Sequence, residues 1–479
     1  MKLSSLRLGV FMGAALLLVA PGLAADTAPE IKRPNVLFIA VDDLRPEIGA
    51  FGADYMQTPA IDSLAETGVA FTRAYANVPV CGASRASMLT GLRPTQERFL
   101  TYYTRIDEDA PGIPTIPGWF KQAGYTTISL GKISHHADDG ANSWSEPPWS
   151  PKNESLPGYH GWRNYLAEDN IREDMRKEKG RPPAWENVDV DDDAYFDGRV
   201  AKRAVELLQK FKEHGTPFFL AVGFVKPHLP FNAPKKYWDL YPEDSVSPAA
   251  NRLFPEKAPQ QAWHNWGELR KYQGVPPGDA PVPDEMARKL VRGYRAATSY
   301  SDAQVGRVLD ELDRLGLAES TIVVLWGDHG WSLGEHGLWA KHSPFDLANH
   351  IPLIVRAPGA NTGLAPGLVE SVDIYPTLVE LAGLPDPGHL QGESFAVALE
   401  NPGAGLKDAV YTRWQNSDSI RTGRYNYTEW RDNSGQVTSR MLYDNVADPG
   451  ELNNLAEDPA QAVTVAELSL ALARHIGSI

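Results

Sequence analysis

Hydrophobic positions along the chain alternate between two periods. Val36-Leu37-Phe38-Ile39-Ala40-Val41 is a continuous apolar run closed by Asp42-Asp43, the pattern of a strand buried on both faces of a sheet. Thr58-Pro59 then opens a helix with a capping residue and a proline at its first position, and Gly68 closes it. Further core strands are expected at Thr126 to Leu130, Phe218 to Val222, Thr321 to Leu325 and Pro352 to Val355. Between them Ala201, Ala204, Val205, Leu208 and Phe211 recur at helical spacing, as do Leu290, Val291, Tyr294, Ala297 and Thr298. This alternation predicts an α/β fold, a large domain on a mostly parallel mixed sheet flanked by helices.

Two stretches lack the alternation: Ser134 to Asp193, and Ser245 to Pro283 with its Trp263, His264 and Trp266. Long irregular segments of this kind are expected to shape a binding site. After Gly392 the texture changes to short runs such as Ala409-Val410-Tyr411-Thr412 and ends in an amphipathic segment from Ala460 to Ile476. That pattern predicts a smaller C-terminal α+β domain with an antiparallel sheet and a terminal helix, spanning 391–479 after the large domain at 25–390.

At the start of the chain, Lys2 and Arg7 flank an apolar stretch from Leu8 to Ala20, followed by Gly22-Leu23-Ala24. This reads as a signal peptide over 1–24, cleaved near Ala25, and predicts an exported, periplasmic or extracellular protein. No later window is long and apolar enough for a membrane helix. With 46 basic against 61 acidic residues the formal net charge is -15, which argues against a nucleic-acid surface. An anionic substrate therefore requires cations concentrated in one place.

In open parallel sheets ligands gather beyond the carboxyl ends of the strands. Asp42-Asp43 stands at one such end and Trp326-Gly327-Asp328-His329-Gly330 at another. Carboxylate oxygens suit a hard divalent cation, so Asp42, Asp43, Asp328 and His329 form a candidate four-ligand site. The cations follow the same logic: Lys132 and His135 come after one strand, Lys226 and His228 after a second, and Lys341 lies in Gly334 to Lys341. Lys132, His135, His228 and Lys341 are thus expected around one sheet edge, where they can hold the oxygens of an anionic group and stabilise charge on a leaving group. Cys81 is the sole cysteine of 479 residues, so no intrachain disulfide can form and the core must carry stability.

That cysteine opens Cys81-Gly82-Ala83-Ser84-Arg85, followed by Thr90-Gly91-Leu92-Arg93-Pro94-Thr95. The run resembles the C-x-[PA]-S-R signature of the type I sulfatases of the alkaline phosphatase superfamily. Gly131-Lys132-x-x-His135, Lys226-Pro227-His228 and Asp328-His329-Gly330-Trp331-Ser332-Leu333-Gly334-Glu335-His336-Gly337 are similar to the iduronate-2-sulfatase branch. The resemblance spans about Pro34 to Leu455. It implies an alkaline-phosphatase-like fold and hydrolysis of sulfate esters, with Cys81 oxidised to formylglycine by a maturation enzyme.

The resemblance also implies roles. Asp42, Asp43, Asp328, His329 and modified Cys81 would hold Ca²⁺; a histidine at 329 is less selective for calcium than an amide, which leaves Mg²⁺ as the alternative. Arg85 would fix the nucleophile, and Ser84 would cap the following helix. His228 or Lys341 would protonate the leaving oxygen, and Asp328 would take a proton. The implied substrate is a sulfated carbohydrate, a 2-O-sulfated uronic acid of a glycosaminoglycan or an ulvan-type polysaccharide, with Arg105, Lys226 or His136 as candidates for its carboxylate. The tail Leu442-Tyr443-Asp444, Asp448 to Glu451 and Asn453-Asn454-Leu455 is assigned to packing. Two other readings stay open: a phosphonate monoester or phosphodiester hydrolase, and a sulfated-glycan binding protein whose cysteine is never matured.

Overall fold

A computed structural model of the chain describes residue 9 and residues 33–151, 163–176, 181–265 and 267–479. Gly9 apart, the expected signal segment lies outside the described residues, as does Trp266. Arg33–Ile479 forms one compact unit, and everything below concerns it.

Seven strands make the large sheet: β1 (Asn35–Val41), β2 (Val69–Tyr75), β3 (Thr126–Gly131), β4 (Phe218–Phe224), β5 (Thr321–Gly327), β6 (His350–Arg356) and β7 (Gly363–Glu370). Their order is β7-β2-β6-β5-β1-β4-β3. β1 pairs in parallel with β4 and β5, β3 with β4, and β7 with β2. β6 runs antiparallel between β2 and β5. The apolar run of β1 divides between two cores as the pleat requires. Val36, Phe38 and Ala40 join the layer that holds Ala83, Ala86 and Met88 of α2 (Cys81–Thr90). Leu37, Ile39 and Val41 face α1 (Pro59–Thr67), α3 (Phe196–His214) and the C-terminal half of α4 (Asp284–Arg314).

β2 and β7 are absent from the sequence expectation for identifiable reasons. Thr72 and Arg73 interrupt the apolar pattern of β2. β7 contains two glycines and Pro366, tolerable because it is the edge strand, where a missing N–H breaks no ladder on the open side. The expected cap of α1 is also different. Thr58 makes no cap hydrogen bond; instead Asp302 of α4 accepts from the amides of Ala60 and Ile61 at 3.2 and 2.8 Å. Gly68 follows α1 in extended backbone, and glycine is needed there because a Cβ would lie 2.7 Å from the Val355 carbonyl.

A second sheet follows, β8 (Ala409–Trp414), β9 (Ser417–Thr422), β10 (Tyr425–Arg431) and β11 (Val437–Asp444), antiparallel in sequence order. The helix α5 (Ala462–Ile476) lays Leu468 and Leu472 on Ile420, Tyr427 and Leu442. Arg93 joins the cysteine-bearing segment to the end of β7 through a two-pronged pair with Glu370, both contacts 2.6 Å. Lys407 meets the same carboxylate at 2.7 Å. In the tail, Asn454 accepts from the Leu442 amide at 2.8 Å and Glu451 from the Asp346 amide at 2.8 Å, contacts that lock strands and loops together.

Gly131 ends β3 at φ +71°, and a Cβ there would fall 2.1 Å from the Gly223 carbonyl oxygen. Gly223 in turn has no room for a Cβ against the Lys132 backbone, at 2.1 Å. This close approach sets the start of the segment carrying Lys132 and His135. Gly131→Ala is therefore expected to cost roughly 2–4 kcal/mol of stability, read as a lower denaturation midpoint.

Candidate active site

Parallel register brings the chemistry to one edge. Val41 of β1 stands opposite Gly327 of β5 and Phe224 of β4, and Gly131 of β3 opposite Gly223. The chain therefore leaves four adjacent strands as Asp328-His329, Asp42-Asp43, Lys226 to His228, and Lys132 to His135. Cys81 arrives at the first position of α2. Lys341 follows a short hairpin of Ser332–Leu333 with Trp339–Ala340. Asp43 adopts φ +61°, a conformation aspartate tolerates, and Tyr294 of α4 holds it by donating to its carbonyl at 2.8 Å while accepting from the Arg45 amide at 3.0 Å.

Asp42, Asp43, Cys81 and His329 each offer a ligand atom, all within 4.8 Å of one another. All four side chains are buried. Cys81 Sγ lies 3.1 Å from His329 Nε2 and 3.8 Å from Asp43 Oδ1. Asp328 adjoins the group differently: its Oδ1 accepts from the amides of Asp43 and His329 at 3.0 and 3.1 Å, and its Oδ2 meets Arg85 Nε at 2.8 Å. Arg85, also buried, reaches Asp42 Oδ1 at 3.3 Å and donates to the carbonyls of Lys132 and Ile133. Ser84 lies inside α2 and caps nothing; its hydroxyl donates to the Asp328 carbonyl.

The carboxylates are unequally served. Burial opposes charge on Asp42, but Lys132, then His228 and Arg85, hold its carboxyl well below the usual range. Asp43 goes the other way: burial pushes it up, and Lys341 does not offset the added repulsion of Asp42, Glu268 and Asp328. A divalent cation would remove that imbalance. The donor set fits one, because two aspartates converge and His329 is the right tautomer. His329 Nδ1 donates to the Gly330 carbonyl at 2.9 Å, leaving the Nε2 lone pair toward the cluster. Burial lowers the His329 pKa and favours this neutral imidazole. Burial, followed by Asp42, pushes the Cys81 thiol up.

Above the cluster opens a cavity of about 510 Å³ lined by Cys81, Lys132, His135, His228 and Lys341 among others, so the expected cations share its floor and walls. Lys132 pairs with Asp42. Lys341 Nζ sits 3.0 Å from Asp43 Oδ1, 3.3 Å from Glu268 Oε2 and 4.8 Å from the centre of the Trp331 ring. Burial, with Lys132 next to it, drives His135 down to about 2 and keeps it neutral. His228 donates from Nδ1 to the Leu229 carbonyl at 2.6 Å, and its Nε2 is 3.2 Å from Glu268 Oε1. Burial and Lys341 push His228 down while Glu268 opposes them; burial opposes charge on Glu268, but Lys341 and then His228 bring its carboxyl down to about 2.

Three residues expected to contact substrate are not among those lining the cavity. Arg105 pairs with Asp138 at 3.2 Å and Glu108 at 3.9 Å, away from the cavity wall. Lys226 is buried and donates Nζ to the carbonyls of His228 and Pro230 at 3.0 and 2.6 Å, so it braces the turn that presents His228. His136 packs edge-on against His135, centroids 5.0 Å apart, behind the lining residue. Both irregular stretches do reach the cavity, the first through Ser134, His135, Ala137, Ser150 and Arg181, the second through Gly267, Glu268 and Lys271. Glu268 was not singled out in the sequence, where an acidic residue in an irregular stretch has no periodicity to mark it.

The sulfatase family model matches residues 34–384, and a model of the C-terminal part of N-sulphoglucosamine sulphohydrolase matches 334–477. Iduronate 2-sulfatase of Homo sapiens is 37% identical over 438 residues, covering 83% of this chain and 78% of the human protein. Among solved structures, a protein in complex with its substrate D-glucosamine-2-N,6-O-disulfate superposes with a TM-score of 0.73 at 21% identity, covering 93% of this chain and 97% of the other. The phosphonate monoester hydrolase of Silicibacter pomeroyi superposes with a TM-score of 0.72 at 24% identity, covering 92% and 95%. The chain belongs to the sulfatase family, with the fold of the alkaline phosphatase superfamily, and is a sulfuric ester hydrolase.

Metal binding to the folded state alone raises stability by mass action, about 2.7 kcal/mol at a hundredfold excess over the dissociation constant. Millimolar Ca²⁺ is expected to raise the melting temperature of chelator-treated protein by several degrees, and Asp43→Asn to remove most of that rise while the metal-free protein is as stable as before or more so.

Proposed function

We propose that the chain hydrolyses sulfate esters of carbohydrates, with the 2-O-sulfate of a terminal uronic acid in glycosaminoglycan or ulvan-type oligosaccharides as the preferred group. The observation that carries this reading is the joint placement of Cys81, the Asp42-Asp43-His329 cluster and the cations Lys132 and Lys341 at one cavity, in a chain 37% identical to an iduronate 2-sulfatase. Export to the periplasm or beyond, and oxidation of Cys81 to formylglycine by a maturation enzyme, belong to the same proposal.

Asp42, Asp43, Asp328, His329 and residue 81 would hold Ca²⁺, which when bound supplies Lewis acidity beside the reacting sulfur. The matured side chain supplies a geminal diol in place of a thiol. Arg85 holds the strand ends and the start of α2 in register by spanning Asp328 and Asp42. Asp328, paired with Arg85, accepts the proton given up on attack. Lys132 and His135 grip the sulfonyl oxygens, and Lys341 offsets negative charge as it grows on them. His228, which lines the cavity with its Nε2 3.2 Å from Glu268, is the general acid that protonates the departing sugar oxygen.

Two measurements test this. After coexpression with a maturation enzyme, the tryptic peptide containing Cys81 should be lighter than the thiol form, and Cys81→Ala should reduce turnover to background. His228→Gln should slow a sugar sulfate by about a hundredfold or more, the usual range for general-acid catalysis. It should slow 4-nitrophenyl sulfate far less, because that leaving group needs no proton. Faster turnover of phosphonate monoesters than of any sulfate ester would replace the proposal with the phosphonate reading.

A further inference from the structure

One wall of the cavity has no task in the reaction just described. Arg181 and Lys271 both line it, and they come from the two irregular stretches of the chain. The backbone joins those stretches at this point: the Arg181 amide donates to the Lys271 carbonyl at 2.8 Å, the Gln273 amide donates to the Arg181 carbonyl at 3.1 Å, and Arg181 forms an isolated parallel bridge with Tyr272. The Arg181 guanidinium lies 5.0 Å from the centre of the Tyr272 ring and donates to its hydroxyl at 3.2 Å. Two cationic residues are therefore set side by side on the wall by the backbone, with the Arg181 guanidinium held on Tyr272.

Charge accounting separates them from the floor. Lys132 is committed to Asp42, and Lys341 to Asp43 and Glu268. Glu268 is the one carboxylate among the described lining residues, and its two oxygens already face His228 and Lys341; its field also reaches Arg181. Among the described lining residues one acid faces these cations, and Lys271, open to solvent, makes no ion pair with a described residue. In a protein of formal net charge -15, a cation pair oriented into a ligand-sized cavity attracts an anion.

Resting on the carbohydrate sulfatase reading, we propose that Arg181 and Lys271 form a second oxyanion subsite. It holds a carboxylate or a second sulfate on the sugar whose ester is cleaved over Cys81. The planar guanidinium, anchored on Tyr272, offers paired donors to either group, and the lysine adds a point charge. The site then reads its substrate by two negative charges, one at the sulfur and one at the wall.

The test compares kcat/KM of matured wild-type enzyme, Arg181→Gln, Lys271→Gln, the double variant and Arg181→Lys. Three substrates are used: a uronate 2-sulfate glycoside, its carboxyl-reduced counterpart, and a disulfated hexosamine. Wild type should prefer one of the two dianionic sugars over the carboxyl-reduced ester by about tenfold or more, the scale of a lost charged hydrogen bond. The double variant should erase that preference through KM while its rate on the carboxyl-reduced ester stays within about twofold, and Arg181→Lys should keep part of the preference. Loss on the uronate alone identifies a carboxylate; loss on the disulfated sugar identifies a sulfate. Equal loss on all three substrates, or no loss on any, overturns the subsite while leaving the sulfatase reading intact. Wild-type inertness toward all three sugars overturns the carbohydrate reading and the subsite with it.

Discussion

Parallel pairing of β1 with β5 forces Asp42 and Asp328 out of the sheet side by side, with Asp43 one residue further on, and like charges so close cannot stay ionised in a buried place without compensation. The rest of the site is arranged around that constraint. Arg85 spans Asp42 and Asp328, Lys132 takes the other oxygen of Asp42, and Lys341 takes Asp43. Removing one of these cations from such a buried group typically costs about 3–5 kcal/mol, because the carboxylate left behind has no water to turn to. Lys132 and Lys341, which help neutralise the aspartates, also line the cavity, which is how a chain with an excess of acidic residues can receive an anionic ester.

The geometry also assigns a division of labour. Positions near the sheet are set by backbone register and by glycines too crowded to carry a Cβ, so the relative placement of Asp42, Asp328 and Lys132 follows from the fold itself. The upper walls come from segments 134–193 and 245–283, which are held by sparse backbone bridges and by pairs such as His228 with Glu268. The aspartates, His329 and Lys132 therefore sit on the scaffold, while most of the cavity wall comes from the loops, the usual partition in enzymes built on open sheets.

Much of this was legible in the residues alone. Apolar runs ending in Asp-Asp or Gly-Asp-His announce buried strands with polar ends, and Asp42, Asp43, Lys132, His228, Asp328 and His329 all fall at those ends. What escaped is equally informative. β2 and β7 carry polar or helix-breaking residues that pattern reading takes for turns, Thr58 looks like a cap that Asp302 supplies from a distance of many residues in sequence, and Ser84 lies within a helix already begun at Cys81. Arg105, Lys226 and His136 were candidates by residue type; in the fold Arg105 is ion-paired with Asp138, Lys226 donates to backbone carbonyls and His136 packs against His135. Glu268, Arg181 and Lys271 depend on how two irregular stretches meet, which no local period encodes.

The central claim is that residue 81, oxidised, shares one divalent ion with the aspartates and His329. A crystal structure of the matured protein grown with Ca²⁺, with anomalous data collected to locate the ion, tests it most directly. The account predicts a single ion about 2.3–2.6 Å from oxygens of Asp42, Asp43, Asp328 and the altered side chain at 81, with His329 completing the shell. An ion bound elsewhere, an empty cluster at saturating Ca²⁺, or an aldehyde turned away from Asp43 would contradict it.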